Sequence, residues 1–288
     1  MPVDPDAALP PLPTLRAAFD VLVVVPTCGH PATVVPGVRR LLKHTDGLRV
    51  RIVVVANPDD PEKWAEARGM INSAAVGSDA EIDLLDLGAP VGFGAAVNAG
   101  IVHAGPLPEH VVVINDDAHV CAGWLSGLIA ALDPVDGVVL TGEPPNPDGS
   151  RPRRDPDLAV GRIGMVGPVS NLVAGVAQLN LPDGLRRAPY DVIAANVRQQ
   201  ADGDVEVVDF LSGFCVLYRK ACLLDLRADD GNLFDPVFKI GGYEDNDVCV
   251  RAELLGWGRV VARSVYAHHD GHQTLDRIAP GAKLGMAN

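Results

Sequence analysis

The sequence predicts an α/β fold built on a doubly wound, mostly parallel sheet with helices on both faces. Short valine-rich runs alternate along the first half of the chain with segments whose apolar residues recur at helical spacing. Runs that are apolar throughout are typical of strands buried on both faces, and their alternation with helices indicates parallel pairing. Polar or glycine-rich residues follow these runs, where a doubly wound sheet binds its ligands.

Four strands and four helices are predicted in the first half of the chain. Pro26 ends the first strand, and the glycines around Phe93 open the third helix. Apolar residues at a spacing of three or four mark the helices. The predicted elements, in chain order, are strand Val21–Val25, a helix containing Val34, Val38, Leu41 and Leu42, strand Arg51–Ala56, helix Glu62–Ala75, strand Glu81–Leu87, helix Ala95–Ala104, strand Val111–Ile114 and helix Trp124–Leu132.

The second half of the chain mixes shorter elements with two predicted loops. Thr141–Asp157 is rich in proline, and Asn180–Pro189 shows no periodic pattern. We expect a flexible, Pro-rich arm over residues 1–18, a single domain over residues 19–275 and a tail over residues 276–288. The predicted elements are strands Arg162–Val166, Val205–Phe210 and Phe214–Tyr218, helices Ala221–Leu226 and Tyr243–Leu255, and a last strand Arg259–Ala262.

Composition argues against several functional classes. Asp and Glu outnumber Lys and Arg by 37 to 24, and a net charge of −13 is a poor match for nucleic acid, although it suits recruitment of a divalent cation. The five cysteines are widely spaced and form no C-x-x-C pair, which indicates a reducing compartment. The N-terminus lacks a signal-peptide pattern, and no apolar run is long enough to span a membrane. We therefore expect a cytoplasmic protein without a transmembrane segment.

The segment Asn115-Asp116-Asp117 follows the fourth predicted strand directly. Adjacent carboxylates at the carboxyl end of a buried strand suit Mg²⁺ or Mn²⁺, which in turn bridges phosphate oxygens. The alternative is that Asp116 and Asp117 merely start a turn.

The segment from Gly92 to Val97 suggests a second interpretation, a dinucleotide-binding turn. In the dinucleotide-binding motif the third glycine position is here Val97, and the turn after the first strand contains only Gly29. Both features argue against a dehydrogenase. What remains is that Gly92 and Gly94 let backbone N–H groups at a helix start approach a ligand.

Two further clusters carry titratable side chains. Glu244 and Asp245 follow the Gly241-Gly242 pair at a predicted helix start, where a carboxylate is a candidate general base. Asp247 is explained by an ion pair with Arg251 four residues on. Three histidines, His268, His269 and His272, follow the last predicted strand and are either surface or core residues or ligands of a metal ion.

Together these motifs resemble glycosyltransferase family 2, which has the GT-A fold, and within it the rhamnosyltransferase-like branch. The resemblance runs from about Val21 to Thr274. Six segments carry it in order: Val23–Thr27, Gly92–Gly100, Ile114–Asp117 with Gly123–Leu125, Met165–Asn171, Tyr243–Asp247 with Arg251 and Gly256-Trp257, and finally His269.

The resemblance implies an inverting, metal-dependent transfer from a UDP-, dTDP- or GDP-linked sugar to a hydroxyl of a glycan or a lipid-linked glycan. A nucleotide-binding first half and an acceptor-binding second half share one sheet. Asp245 is the implied base, and Glu244 is implied to position the acceptor or the base. The remaining implied roles are nucleotide binding by Pro26, Thr27, Asn57, Gly92 and Asn98, and binding of Mn²⁺ or Mg²⁺ by Asp117 and His269 with Asn115 or Asp116 assisting.

Two departures from the family pattern are visible. Ala56 stands where the family commonly has an Asp that reads the nucleobase, which leaves Asp59 or Asp60 as substitutes, and Asn115 replaces the first acidic residue of its motif. Two other functions compete with transfer: a nucleotidyltransferase of similar fold, which needs a basic loop after the first strand, and a sugar-nucleotide-binding protein without turnover. A lipid-linked acceptor implies peripheral contact with the inner face of the membrane.

Overall fold

The computed structural model describes residues 19–133, 163–201, 203–239 and 242–271, and it confirms the α/β class. The predicted arm over residues 1–18, the predicted loop Thr141–Asp157 and the predicted tail over residues 276–288 lie outside these residues. None of the helices in the described ranges is long and apolar enough to cross a membrane.

The described residues form nine strands and eight α-helices. The strands are β1 (Val21–Thr27), β2 (Val50–Ala56), β3 (Glu81–Asp86), β4 (His110–Ile114), β5 (Ala118–Val120), β6 (Ile163–Val169), β7 (Val205–Val207), β8 (Cys215–Arg219) and β9 (Gly258–His269). The helices are α1 (Pro31–Lys43), α2 (Pro61–Ala75), α3 (Phe93–His103), α4 (Trp124–Ala130), α5 (Asp183–Arg186), α6 (Tyr190–Gln200), α7 (Lys220–Leu226) and α8 (Glu244–Leu254).

The strands form one mixed sheet in the order β3-β2-β1-β4-β8-β6-β9-β5, and β7 pairs with β9 beside this path. Strands β1 to β4 run parallel to one another, and β6 runs parallel to β9. Strand β8 runs antiparallel to both β4 and β6. The carboxyl ends of β1, β2 and β4 therefore meet at one edge, and the amino end of β8 lies beside the end of β4.

Both faces of the sheet are buried at its central strands, which explains why the runs Val21–Val25 and Val111–Ile114 are apolar throughout. Alternate residues of β1 point to opposite faces: Leu22 and Val24 join one core cluster, while Val21, Val23 and Val25 join the other. Burial on two faces removes the polar positions that an alternating strand would show.

The predicted end of the last strand at Ala262 was wrong, because β9 continues to His269. Its pairing with β6 shifts register between Pro168 and Val169, and its last residues pair antiparallel with β5. Polar residues Arg263 and Ser264 interrupt the apolar pattern at this irregularity. The histidines His268 and His269 therefore lie on the strand itself.

Three further elements were not predicted. Helix α6, which buries Ile193, Ala194 and Val197, follows Pro189. Helix α5 lies within the predicted loop Asn180–Pro189, and the three-residue strand β5 lies between β4 and α4. These elements are too short, or too polar outside their buried stripe, to stand out in the sequence.

Helix α3 packs against β1 and β2 through Gly100. A Cβ atom on Gly100 would lie 2.7 Å from Val24 Cγ1 and 2.7 Å from Val55 Cγ2. Gly100 therefore sets the distance at which α3 lies over the parallel sheet.

The substitution Gly100→Ala is expected to lower the free energy of unfolding by about 1–3 kcal/mol, because overpacking displaces the helix from both strands. Urea unfolding followed by circular dichroism measures this loss. Gly69→Ala in α2 is the matched control, since a Cβ there meets no described atom within 4 Å. Equal effects of the two substitutions would contradict the packing role of Gly100.

Candidate active site

A cavity of about 660 Å³ opens where β1, β2 and β4 end. One wall comes from these strand ends and the segment before α3. The other wall comes from the segments after β6, before β8, at the start of α8 and at the end of β9. The lining residues are Pro26, Thr27, Cys28, Asn57, Pro90, Val91, Gly92, Phe93, Asn115, Asp116, Asp117, Leu172, Val173, Ala174, Phe210, Ser212, Gly213, Phe214, Lys239, Gly242, Glu244, Asp245, His269 and Gly271.

Every predicted site residue except Asn98 lines this cavity. Asn98 is buried in α3, where its amide oxygen accepts from the N–H groups of Leu233 and Phe234 and its amide nitrogen donates to Phe234 O. Gly94 likewise serves packing, because a Cβ there would lie 2.9 Å from Phe234 Cβ. These two residues join α3 to the 233–234 segment and do not line the cavity.

Asp116 is buried and held by the end of β1. The Thr27 hydroxyl donates to Asp116 Oδ2 at 2.5 Å, and Thr27 Oγ1 accepts from Gly29 N at 2.9 Å. A Cβ on Gly37 would lie 2.7 Å from the Asp116 carbonyl oxygen, so α1 also packs directly against this turn. The Thr27 hydroxyl on the neighbouring strand β1 therefore holds the Asp116 carboxylate in place.

Asp117 differs from Asp116, because its Oδ1 atom is buried without a hydrogen-bond partner among the described residues. His269 Nε2 lies 3.2 Å from this oxygen, and Asn115 Nδ2 lies 3.4 Å from the same histidine nitrogen. Burial by itself would lower the pKa of His269, but the Asp117 carboxylate favours the imidazolium, and the net pKa is raised. A carboxylate and an imidazole thus converge at one point of the cavity.

These residues fit a divalent cation that also binds substrate oxygens. The described residues contain no group of three or more His, Cys, Asp or Glu side chains gathered for a metal ion. Mg²⁺ and related cations commonly take only one or two carboxylates from the protein and complete their coordination with phosphates and water. The buried, unpartnered oxygen of Asp117 beside His269 suits such a site.

His268 lies outside the cavity. Its ring stacks on Tyr190 with centroids 4.1 Å apart, and its Nε2 atom lies 3.2 Å from Asp270 Oδ1. Of the two adjacent histidines, the one expected as a metal ligand, His269, is therefore the one that faces Asp117. His272 lies outside the described residues.

Asp245 occupies the first turn of α8 on the opposite wall. Its Oδ2 atom accepts from Gly213 N at 3.1 Å and its Oδ1 atom accepts from Asn246 N at 2.9 Å. Burial raises the pKa of Asp245, and these backbone donors offset only part of the shift. A carboxylate that binds protons more tightly than usual is suited to accept one at a reacting hydroxyl.

Glu244 accepts from the backbone N–H of Gly242 and thereby closes the turn before α8. Burial also raises the pKa of Glu244, and the nearby Asp245 charge adds to the shift. Asp247 pairs with Arg251 at 2.7 Å, as predicted, and does not line the cavity.

The expected substitutes for the missing nucleobase-reading Asp lie away from the cavity. Asp59 pairs with His30 Nε2 at 2.9 Å, and Asp60 caps α2 by accepting from Glu62 N and Lys63 N. Asn57 does line the cavity, and its Nδ2 atom donates to Thr27 O at 2.9 Å. The first residue after β2, Asn57, therefore presents an amide to the cavity where the family commonly has a carboxylate nearby.

Much of the second wall carries no motif. Leu172, Val173 and Ala174 come from the loop after β6, and Phe210 and Phe214 flank the turn before β8. The antiparallel insertion of β8 beside β4 brings Phe214 to the strand ends, where Asn115 N donates to Phe214 O at 2.8 Å. A long-range strand pairing of this kind has no local signal in the sequence.

Comparison with known proteins supports a single family. The model of glycosyl transferase family 2 matches residues 22–173, slightly more than half of the chain. No protein of curated function matches the chain.

Two solved glycosyltransferase structures share the fold at low sequence identity. GalNAc-T7 in complex with UDP, GalNAc and Mn²⁺ is 12% identical with a TM-score of 0.53, and the match covers 87% of this chain and 44% of that one. The mannosyltransferase PcManGT from Pyrobaculum calidifontis, in complex with GDP-Man and Mn²⁺, is 17% identical with a TM-score of 0.51, and the match covers 91% of this chain and 59% of that one. The chain thus spans about half the length of these proteins.

The substitution Thr27→Val is expected to destabilise the metal-free protein by about 1–3 kcal/mol. It preserves side-chain shape but removes the buried hydroxyl that donates to Asp116 and accepts from Gly29 N. Urea unfolding measures the loss, and Thr27→Ser, which keeps the hydroxyl, is the control. If Thr27→Val were as stable as the wild type, the hydroxyl would not be what holds Asp116.

Proposed function

Because the chain belongs to glycosyl transferase family 2, we propose that it transfers a sugar from a nucleotide-diphospho-sugar to an acceptor hydroxyl with inversion at the anomeric carbon. One observation carries the proposal. Asp117, His269 with its Nε2 atom 3.2 Å from Asp117 Oδ1, and the partly buried carboxylate of Asp245 all line the same cavity. A donor bound at the strand ends would place its anomeric carbon between these groups.

The donor half of the proposed site is the wall formed by the strand ends. Thr27, Asn57 and Gly92 line it, and Gly92 has a φ of 91°, a conformation that favours glycine. Gly92 is the N-cap of α3, so the free backbone N–H groups at the start of this helix would be available to an anionic group of the donor. UDP-, dTDP- and GDP-linked sugars are the proposed donors.

Asp117 and His269 would hold Mn²⁺ or Mg²⁺, and Asn115 would assist through its amide oxygen after rotation of the side chain. The bound cation would neutralise the charge that builds up on the departing diphosphate. Asp116 takes a different role from the one first expected, since its carboxylate accepts the Thr27 hydroxyl. Asp116 therefore shapes the turn that presents Asp117.

Asp245 would act as the general base. Its carboxylate takes the proton of the acceptor hydroxyl while the hydroxyl oxygen bonds to the anomeric carbon and the bond to the diphosphate oxygen breaks. Attack from the face opposite the leaving group gives inversion. Gly213 N and Asn246 N fix the carboxylate in place, and Glu244 fixes the turn that precedes it.

The acceptor would enter along the apolar wall. Leu172, Val173 and Phe210 line this side together with Lys239. A sugar ring presents apolar C–H faces, so such a wall suits a glycan or the sugar end of a lipid-linked glycan. Transfer of a hexosyl or deoxyhexosyl group in polysaccharide or cell-wall synthesis, at the cytoplasmic face of a membrane, is the setting that we propose.

The proposal is tested by incubating the full chain with a panel of UDP-, dTDP- and GDP-sugars in the presence of Mn²⁺ or Mg²⁺ and measuring release of the nucleoside diphosphate. We expect one donor class to be hydrolysed or transferred, and the matching nucleoside diphosphate to raise the melting temperature only together with the cation. Absence of both effects with every donor would overturn the proposal.

The substitution Asp245→Asn is expected to reduce kcat by at least about 10²-fold, because an amide cannot accept the acceptor proton. Donor affinity should stay within about threefold. The melting temperature at pH 7 should be equal or higher, since the substitution removes a buried carboxylate whose charged form burial disfavours. The control Asp247→Asn, on the same helix but paired with Arg251, should retain turnover. Turnover by Asp245→Asn at the wild-type rate would exclude Asp245 as the base.

The pH dependence of kcat/KM should show an acid limb above the ordinary aspartate pKa of about 3.9, because burial raises the pKa of Asp245 and only the ionised form accepts a proton. Activity falls as the pH decreases through this raised pKa. Protonation of His269 would also reduce activity at low pH, but by competing with the cation. A limb that moves over a tenfold range of Mn²⁺ does not belong to Asp245. A limb that keeps its position belongs to Asp245 if Glu244→Gln leaves it in place, because burial also raises the pKa of Glu244.

A further inference from the structure

Asn171 ends the Gly167–Asn171 segment and does not line the cavity. Its side chain instead clamps the backbone of His269. Asn171 Nδ2 donates to His269 O at 3.0 Å, and Asn171 Oδ1 accepts from His269 N at 2.9 Å. One amide group thus satisfies both backbone hydrogen-bonding groups of the last residue of β9, as a neighbouring strand would do.

The residue after Asn171 fixes the imidazole ring of His269. Leu172 O lies 2.9 Å from His269 Nδ1, and because a carbonyl oxygen only accepts, Nδ1 must carry the proton. The Phe214 ring stacks on the imidazole with centroids 4.9 Å apart. With Nδ1 engaged and one ring face covered, Nε2 is the nitrogen that faces Asp117 Oδ1 at 3.2 Å.

The loop that carries Asn171 is itself braced by Gln178. Gln178 Nε2 donates to Asn171 O at 2.6 Å, and Gln178 Oε1 accepts from Val173 N at 2.8 Å. Leu179 N also donates to Ser170 O at 2.7 Å. Gln178 therefore supports the same loop with a similar pair of hydrogen bonds but makes none with His269.

We propose that Asn171 is a positioning residue for the cation site: it holds the backbone of His269 so that Leu172 O can fix the ring with Nε2 directed at Asp117. The proposal rests on the proposed role of His269 as a ligand. Partners that orient a ligating histidine through its other ring nitrogen affect metal affinity by about 10–100-fold.

The test is a titration of the full chain with Mn²⁺ in the presence of UDP or GDP, in which electron paramagnetic resonance measures the free Mn²⁺. We expect Asn171→Ala to weaken Mn²⁺ binding by about 10–100-fold. His269→Ala should weaken it at least as much, and the double variant should be no weaker than His269→Ala, because Asn171 acts through His269. Gln178→Ala should lower the melting temperature but change Mn²⁺ affinity by less than about threefold.

A second variant and a second readout keep the proposal testable if Asn171→Ala unfolds. Asn171→Asp keeps the acceptor for His269 N but loses the donor to His269 O, and it should also weaken Mn²⁺ binding more than Gln178→Ala does. In the metal-free protein, ¹⁵N spectra at a pH where His269 is neutral should show the proton on Nδ1 in the wild type and a shift toward Nε2 in the Asn171 variants.

Two failures are distinguishable. Equal Mn²⁺ affinities of the Asn171 variants and Gln178→Ala, with His269→Ala much weaker, would overturn the positioning role alone. An unchanged Mn²⁺ affinity in His269→Ala would instead overturn the proposed ligand role of His269, and with it the basis of the inference.

Discussion

The turn after β4 has to hold two adjacent carboxylates in a buried position, and the rest of the site depends on how it does so. Asp116 is engaged by the Thr27 hydroxyl from β1, and α1 approaches the same turn closely enough that only glycine fits at position 37. Because β1 and β4 are parallel neighbours, their carboxyl ends coincide and the hydroxyl reaches the carboxylate. With Asp116 engaged in this way, Asp117 Oδ1 is left facing His269.

The second constraint comes from the far end of the chain. Strand β9 pairs in parallel with β6 as far as Tyr266, with an irregularity after Ala262. Its last three residues pair antiparallel with β5, which itself follows Asp117 directly. The pair of Ala118 with His269 fixes the register of the two strands. His269 therefore reaches Asp117 because a three-residue strand next to the carboxylate serves as its partner. The same contact places His268 on the other side, against Tyr190.

Local sequence patterns mark one wall of the cavity and not the other, for a physical reason. Thr27, Asn57 and Asp117 come at or just after the ends of buried apolar strands, and a local pattern therefore marks them. Leu172 and Phe210 reach the cavity only through the antiparallel placement of β8 and the loop after β6, which depend on distant pairings. Asn98 belongs to a motif that predicts nucleotide binding, but its side chain does not line the cavity. It hydrogen-bonds instead to the backbone of residues 233–234 and so joins that segment to α3.

Four carboxylates line the cavity, and their surroundings are of three kinds. A hydroxyl engages Asp116, an imidazole faces Asp117, and backbone N–H groups meet Glu244 and Asp245 while burial raises the pKa of both. Among the lining residues that the structure describes, only Lys239 and His269 carry or acquire positive charge. A diphosphate brought into such a site would meet more negative than positive charge. Under the proposed function, donor binding would therefore be coupled to uptake of a cation, and the buried oxygen of Asp117 is the atom through which that coupling would act.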